Sequence, residues 1–268
     1  MAKFRALMLD LDGTLIDRQQ RLHPAHRELI ALAEQSGLIV LVATARYHGS
    51  AAMVLGDLAR LADQGVFAGG PDVRHGPNGW TWRRSIPAAT IDVLCTAIRR
   101  HLPHCRIGLA TASGALVYDP EVGPEVRAQW GVTAMLPATL ATARHQDALR
   151  LTVWSDTPDP RLAEVASELA RLAGSVCRVI PADRGQAIYI TAADADKGTG
   201  ALALLAHLGI DPAEVIACGD DLTDVPLLRA VGHGIAMADG HPELLAATPH
   251  RAAPADEGGL LLAVGQLL

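Results

Sequence analysis

Asp10-Leu11-Asp12-Gly13-Thr14 follows directly on a short apolar run, residues 6–9. In an extended segment residues two apart point to the same side, so Asp10 and Asp12 can face one small volume, while Gly13 lets the chain turn beside a ligand. Two carboxylates on one side repel each other. Such a pair persists when a cation sits between them or when one carboxyl holds a proton, and both arrangements serve catalysis. The same residue types also suit an ordinary turn or helix cap after a strand. An EF-hand calcium loop is excluded by spacing, because the position that must be glycine is Leu15. A second acidic cluster, Gly219-Asp220-Asp221-Leu222-Thr223-Asp224, follows the apolar residues 215–218. Thr44 ends another apolar run, residues 38–43, and offers a hydroxyl and following amides to an anion. Lys197, with Gly198 behind it, opens a helical stretch and can supply a point positive charge. Either residue alone is ordinary structure; their value lies in the set.

To bring these residues together the chain needs a particular scaffold. Short β-branched or Leu-rich runs alternate with Ala/Leu/Glu/Arg-rich stretches of helical period, the pattern of a parallel sheet flanked by helices. Strands are expected near residues 4–9, 38–43, 66–68, 215–218 and 234–236. Pro24 opens the first helix and Gly37 closes it. In an open parallel sheet ligands bind beyond the carboxyl ends of the strands, so motifs that follow different strands converge on one crevice. A Gly/Pro/Asn-rich stretch at 69–79, then Trp80, Trp82, Arg83 and Arg84, reads as a hairpin leading away from that pattern. From 85 to 191 the rhythm becomes helix, strand pair, strand, helix and two further strands, an α+β module. The predicted organisation is a core of residues 1–84 and 192–268 with residues 85–191 inserted into it.

Composition narrows the partners. The 268 residues carry a formal charge of −6 with no basic block, which argues against nucleic acid or an anionic membrane surface. With 4 Trp, 3 Tyr and 2 Phe there are too few aromatics for a base-stacking platform, and the core must be built from Ala, Leu, Val and Ile. Half the residues are hydrophobic and 19% are charged, which predicts a folded chain. Cys95, Cys105, Cys177 and Cys218 are scattered without a C-x-x-C pair and read as reduced thiols of a cytoplasmic protein. The apolar run before Asp10 is too short for a signal-peptide core, and no run approaches the roughly 18 residues of a membrane span. Nothing in the sequence sets an oligomeric state.

The ordered set of strand-end Asp10-x-Asp12-Gly13-Thr14, strand-end Thr44, helix-start Lys197 and strand-end Gly219-Asp220-x-x-x-Asp224 resembles the haloacid dehalogenase superfamily. The final stretch, from Gly234-Ile235-Ala236-Met237-Ala238-Asp239 to Asp256-Glu257-Gly258-Gly259, is similar to its Cof-type sugar-phosphatase branch. That resemblance implies a Rossmann-like α/β parallel-sheet core with an inserted α+β cap that governs substrate selectivity. It implies Asp10 as the nucleophile that forms an aspartyl phosphate and Asp12 as the general acid/base. It gives Mg²⁺ three ligands, Asp10, the backbone carbonyl of Asp12, and Asp220, and it makes Thr44 and Lys197 the phosphate-holding pair. Asp224 then supports metal and lysine, and Arg46 offers a substrate contact. The activity so implied is Mg²⁺-dependent hydrolysis of a small sugar or polyol phosphate; the alternatives are a phosphomannomutase-like phosphomutase using the same Asp pair and a non-catalytic sugar-phosphate binder. The chain departs from the branch in Thr44-Ala45-Arg46, where glycine is usual in the middle, and in Thr223, where Asn is usual and trehalose-phosphate phosphatases offer a nearer parallel. Gly69-Gly70-Pro71 stands in place of the usual Asn-Gly. Arg83, Arg84, Arg127, His145, Arg150 and Arg184 are the cap side chains of a type to meet a phosphorylated substrate.

Three other patterns compete. Gly198-Thr199-Gly200-Ala201-Leu202-Ala203 fits the glycine fingerprint of a dinucleotide-binding turn, but Lys197 and the intervening residues 192–197 separate it from its strand, and the reading leaves Asp10 and Asp12 unexplained. His101, His104 and Cys105 lie at a helix end around Pro103 with no further ligand in view, and are read as surface polar residues. Trp80 and Trp82 are read as one half-buried face of a hairpin.

Overall fold

The computed structural model describes residues 4–76, 79–123, 125, 138–182 and 185–268. The chain divides into two compact units, Met1–Trp82 with Asp196–Leu268, and Arg83–Ala195.

The first unit is built on a sheet whose innermost strand is the first in the chain. Strand β1 (Ala6–Leu9) pairs in parallel with β2 (Ile39–Ala43) on one side and with β11 (Val215–Gly219) on the other. Beyond β11 lie β12 (His233–Met237) and β13 (His250–Ala252), also parallel. Beyond β2 lies parallel β3 (Gln64–Phe67), then the antiparallel return β4 (Asp72–His75) and the edge strand β5 (Trp80–Arg83). The central strands β1, β2 and β11 are nearly unbroken apolar runs because both faces are covered. Along β1, Leu7 and Leu9 enter one core with Leu29, Ile30, Leu260 and Val264, while Ala6 and Met8 enter the other with Ala201, Leu204, Leu227 and Leu228. The first core is closed by α1 (Pro24–Gln35) and a C-terminal helix (Gly259–Gly265), the second by a helix at Lys197–Leu208 and another at Val225–Ala230. This is the Rossmann-like α/β layering expected of alternating strands and amphipathic helices. Trp80 and Trp82 pack half-buried on the second core, as read from their spacing.

The second unit is an antiparallel sheet. Strands β6 (Arg106–Thr111), β7 (Leu116–Asp119), β8 (Ala148–Trp154), β9 (Cys177–Ala182) and β10 (Ala187–Ala192) take the order β7-β6-β8-β10-β9. On one face lie α3 (Ala88–His101), which follows the short core helix α2 (His48–Leu55), and a long helix at Arg161–Ala173; a short helix at Leu140–Ala143 separates β7 from β8. Ile91, Leu94 and Ile98 of α3 meet Leu162 and Leu169 over Ile107, Leu109, Leu151 and Val153 of the sheet. In chain order α4 is therefore Leu140–Ala143, α5 is Arg161–Ala173, α6 is Lys197–Leu208, and α7 is Val225–Ala230. Among the described residues no helix is long and apolar enough to cross a membrane.

Candidate active site

The parallel register fixes where the acidic residues emerge. Leu9 lies opposite Val42 of β2 and Cys218 of β11, so the residues just beyond these three strands leave the sheet at one edge. Asp10 is tied there by its own N–H, which donates to the Cys218 carbonyl at 3.0 Å. Thr44 is anchored in the same way, its N–H donating to Val66 at 2.8 Å, and its hydroxyl accepts the Arg46 N–H at 3.0 Å.

Lys197 reaches this edge from the start of α6. The helix begins there because Asp196 caps it: Thr199 N–H donates to the Asp196 carboxylate at 2.7 Å while the Thr199 hydroxyl accepts the Asp196 N–H at 2.9 Å. Two glycines let α6 sit close to its neighbours. A Cβ on Gly198 would lie 2.6 Å from the Pro226 carbonyl oxygen, and one on Gly200 would lie 2.8 Å from that of Gly70. The Gly198-x-Gly200 pattern is therefore a packing device inside a helix. Gly70, at φ +136°, likewise admits the backbone of Asp196, whose carbonyl carbon a Cβ would meet at 2.4 Å.

The Lys197 ammonium is fully buried, 2.7 Å from Asp10 Oδ1 and 2.5 Å from Asp224 Oδ1. Asp224 turns its other oxygen to the N–H groups of Asp220 and Asp221, at 3.2 and 3.1 Å, so both of its oxygens are engaged. Oxygen atoms of Asp10, Asp220 and Asp224 all lie within 4.8 Å of one another. Asp220 Oδ1 accepts from the Thr14 hydroxyl at 3.4 Å, and Asp220 fills a recess that exists only because residue 13 is glycine. At φ +80°, a Cβ on Gly13 would stand 2.2 Å from Asp220 Oδ2.

Three clustered carboxylates have one lysine among them, which contacts Asp10 and Asp224, and this deficit of positive charge shifts their protonation. Burial raises Asp10 well above the usual carboxylate range, Asp224 raises it further, and Lys197 only partly offsets them. Burial and then Asp224 push Asp220 up to about 8. Burial would lower Lys197, but the charges of Asp10 and Asp224 outweigh it and keep the ammonium charged.

Asp12 is placed differently from Asp10. Its carboxylate receives a two-pronged contact from Arg46, Nε to Oδ2 and Nη2 to Oδ1, both at 2.7 Å, and Arg46 also donates to the Ser50 hydroxyl at 3.2 Å. Arg46, the candidate substrate contact, here pairs with Asp12. That pairing joins residues from two strand ends, and no spacing in the sequence announces it. Thr14, the hydroxyl on Asp220, was legible only as part of the first motif. Thr223 lies buried in the turn Leu222–Asp224, beside the carboxylate that holds the lysine.

In the second unit Arg84 donates to Asp194 at 2.9 Å, His145 lies 3.6 Å from Asp92, and buried Arg150 lays its guanidinium over Tyr189 at 4.6 Å. Arg127 and Arg184 lie outside the described residues. Of the residues read as a surface cluster, His101 is 3.2 Å from Glu168, but Cys105 is buried, which corrects its reading as a surface group: its side chain completes the core beneath α3.

Residues 7–264 match the family model for haloacid dehalogenase-like hydrolases. The chain is 25% identical to a phosphoglycolate phosphatase of Methanopyrus kandleri over 87% of this chain and 84% of that one. It is 26% identical to a pyridoxal phosphate phosphatase of Escherichia coli over 88% of each. A solved subclass IIB sugar phosphatase has the same fold, with a TM-score of 0.83 at 20% identity, covering 98% of this chain and 100% of that one. The strand-end motifs, the sheet order and the family match agree: the chain belongs to the haloacid dehalogenase-like hydrolase family, as its motifs suggested.

Proposed function

We propose that the protein is a Mg²⁺-dependent phosphomonoester hydrolase that acts on a small sugar or polyol phosphate through an aspartyl-phosphate intermediate. The observation that carries this reading is the buried lysine shared by Asp10 and Asp224, with Asp220 alongside. The relatives' names, which cover phosphoglycolate, pyridoxal phosphate and sugar phosphates, support a small phosphorylated substrate. Selection among such substrates is assigned to the inserted unit. Four free, buried cysteines support a reducing, cytoplasmic setting.

The residues fit a hard divalent cation. Their donors are all oxygen, Asp220 sits in a recess shaped for it by Gly13, and the raised Asp10 and Asp220 carboxyls lack enough positive charge to ionise together. Asp10, Asp220 and the carbonyl of Asp12 would hold the ion, and Asp224, with both oxygens engaged, would support from behind. When bound, Mg²⁺ supplies charge neutralisation to an anionic ester approached by an anionic nucleophile.

The chain's own residues then divide the work. Asp10 attacks phosphorus, and Lys197 orients its carboxylate through the 2.7 Å contact. Thr44 and Lys197 meet the charge that grows on the transferred oxygens. Asp12 protonates the leaving alkoxide and then takes a proton from the water that hydrolyses the acyl phosphate, while Arg46 fixes its carboxylate plane. Phosphate release from a panel of sugar, polyol and hydroxy-acid phosphates tests the reading. Mg²⁺ should be required, EDTA should stop release, and Asp10→Asn should lower turnover by about 10³-fold or more. Release by Asp10→Asn at the parent rate would overturn the assignment of Asp10, and isomerised product without phosphate would make the enzyme a mutase.

A further inference from the structure

The second unit carries a cluster that the phosphate site does not use. The turn after α3 brings His104 and Cys105 together ahead of β6, and Asp159 meets them from the loop before α5. One ligand atom of each lies within 4.8 Å of the other two. His104 Nε2 is 2.9 Å from Asp159 Oδ2 and 3.3 Å from Cys105 Sγ. Arg161 completes the group: its Nη2 is 2.9 Å from Asp159 Oδ2 and 3.2 Å from His104 Nε2.

Nε2 of His104 is where the group converges, with the Asp159 carboxylate and the Cys105 sulfur on it together. Nε2 of an imidazole either donates or accepts according to the tautomer, and sulfur can do either. The Arg161 Nη2, 3.2 Å from Nε2 and 3.4 Å from Nδ1, lies against the ring and is not directed at one nitrogen. With Nε2 protonated, its proton faces Asp159 and the sulfur. A single cation can take the place of that proton, because imidazole, carboxylate and thiolate can each give it a lone pair.

We propose that His104, Cys105 and Asp159 form a second metal site, for a Zn²⁺-class cation, chemically distinct from the all-oxygen cluster around Asp10. Sulfur, imidazole nitrogen and one carboxylate are the donor mixture that a borderline-soft tetrahedral ion selects over Mg²⁺. Bonds of about 2.3 Å to sulfur and about 2.0–2.1 Å to nitrogen and oxygen require ligand atoms roughly 3.3–3.6 Å apart in a tetrahedron. The two distances from His104 Nε2, 2.9 and 3.3 Å, need to widen by a few tenths of an ångström, and the sulfur and carboxylate of the remaining pair lie within 4.8 Å of each other. Burial, and then the Asp159 charge, push the Cys105 thiol up, so without a cation the sulfur keeps its proton and the ion must displace it. On binding, the thiol proton passes to solvent, the sulfur–metal bond takes its place, and the Arg161 side chain, already 56% exposed, moves off into water. The fourth position stays open to water. The ion would tie together the end of α3, the start of β6 and the approach to α5.

The test uses the full chain, stripped of metal and titrated with Co²⁺ in the presence of excess Mg²⁺. One equivalent should bind with thiolate-to-cobalt charge-transfer absorption and intense tetrahedral d–d bands, and Zn²⁺ should displace it. His104→Ala and Asp159→Asn, which alter polar groups at the edge of the unit and leave the buried thiol in place, should each weaken binding by about 100-fold or more. Arg161→Met should tighten it by removing the competing cation. Cys105→Ser should abolish the charge-transfer band, and Asp220→Asn should leave it unchanged. Absence of the band, or its survival at full affinity in both His104→Ala and Asp159→Asn, would overturn the site. Loss of the band in Asp220→Asn would place the bound cobalt in the phosphate site and equally overturn it.

Discussion

Gly13→Ala tests the geometry of the proposed metal-binding cluster without removing a single candidate ligand. A Cβ at residue 13 stands 2.2 Å from Asp220 Oδ2, where ordinary contact begins at 3.4 Å, so the carboxylate must retreat by roughly 1 Å. Metal–ligand distances tolerate errors of about 0.2 Å, so Asp220 in the variant would no longer reach an ion held, as proposed, by Asp10 and the Asp12 carbonyl. Displacing a supported ligand in this way should raise the half-saturating Mg²⁺ concentration by about 10–100-fold, or about 1.4–2.8 kcal/mol. A second cost is separable. Alanine at φ +80° is strained by about 1–2 kcal/mol, which should appear as lost stability in urea without Mg²⁺. Phosphate release measured against Mg²⁺ concentration gives the first quantity, and equilibrium unfolding gives the second. If the variant folds and half-saturates at the parent's Mg²⁺ concentration within a factor of two, the recess does not position a ligand and the argument from Asp220 fails.

Two further outcomes follow from the same cluster and from the helix that serves it. Asp220, raised to about 8, and Asp10, raised with it, hold protons in the metal-free folded chain at pH values where the unfolded chain has lost them. Their contribution to stability is full below about pH 4 and is lost as pH rises through about 8. Because Mg²⁺ favours the ionised forms, the rise in Tm on adding Mg²⁺ should grow between about pH 5.5 and about pH 8.5, and a rise independent of pH would contradict the assignment. Comparing each pH with and without Mg²⁺ cancels the opposite contribution of His26 and His48, both lowered by burial. Gly198→Ala, whose Cβ would stand 2.6 Å from the Pro226 carbonyl, should lose about 1–3 kcal/mol in urea unfolding. Gly49→Ala, in α2 with nothing within 4 Å, should gain about 0.4–1 kcal/mol. Equal effects of the two would show that α6 is not packed as tightly as its glycines imply.

What the sequence conveyed and what it withheld have a common physical origin. Asp10, Thr44 and Asp220 were legible because each follows an apolar run, and in a parallel sheet the end of such a run is also a place in space. Lys197 was legible through its family motif and its position at a helix start. The Arg46–Asp12 contact depends on how two loops close over neighbouring strands, which no local pattern records. The glycines at 198 and 200 satisfied a dinucleotide fingerprint by composition alone; only the nearness of Pro226 and Gly70 shows what they are for. The sequence grouped His104 and Cys105 with His101 and showed no further ligand, because Asp159 reaches them only once α5 has docked on α3 through Leu162, Leu169 and Ile98.

The place of β1 in the sheet has a consequence for biosynthesis. The first strand made is the one at the centre, and its partner β11 begins at Val215, after the whole of the second unit has been synthesised. A nascent chain that has just completed β5 therefore exposes one unpaired edge of β1 and the apolar residues meant for α6 and α7. The second unit, continuous in sequence, is complete as soon as β10 leaves the ribosome, whereas the first unit must wait for its far half. Asp10 meets Lys197 only after that delay, so stalling or truncation just past β10 would leave a chain with the whole second unit, an open sheet edge and no Lys197 beside Asp10. Such a product is the one that chaperones and proteases of the cell would have to handle, and the order of the strands alone determines it.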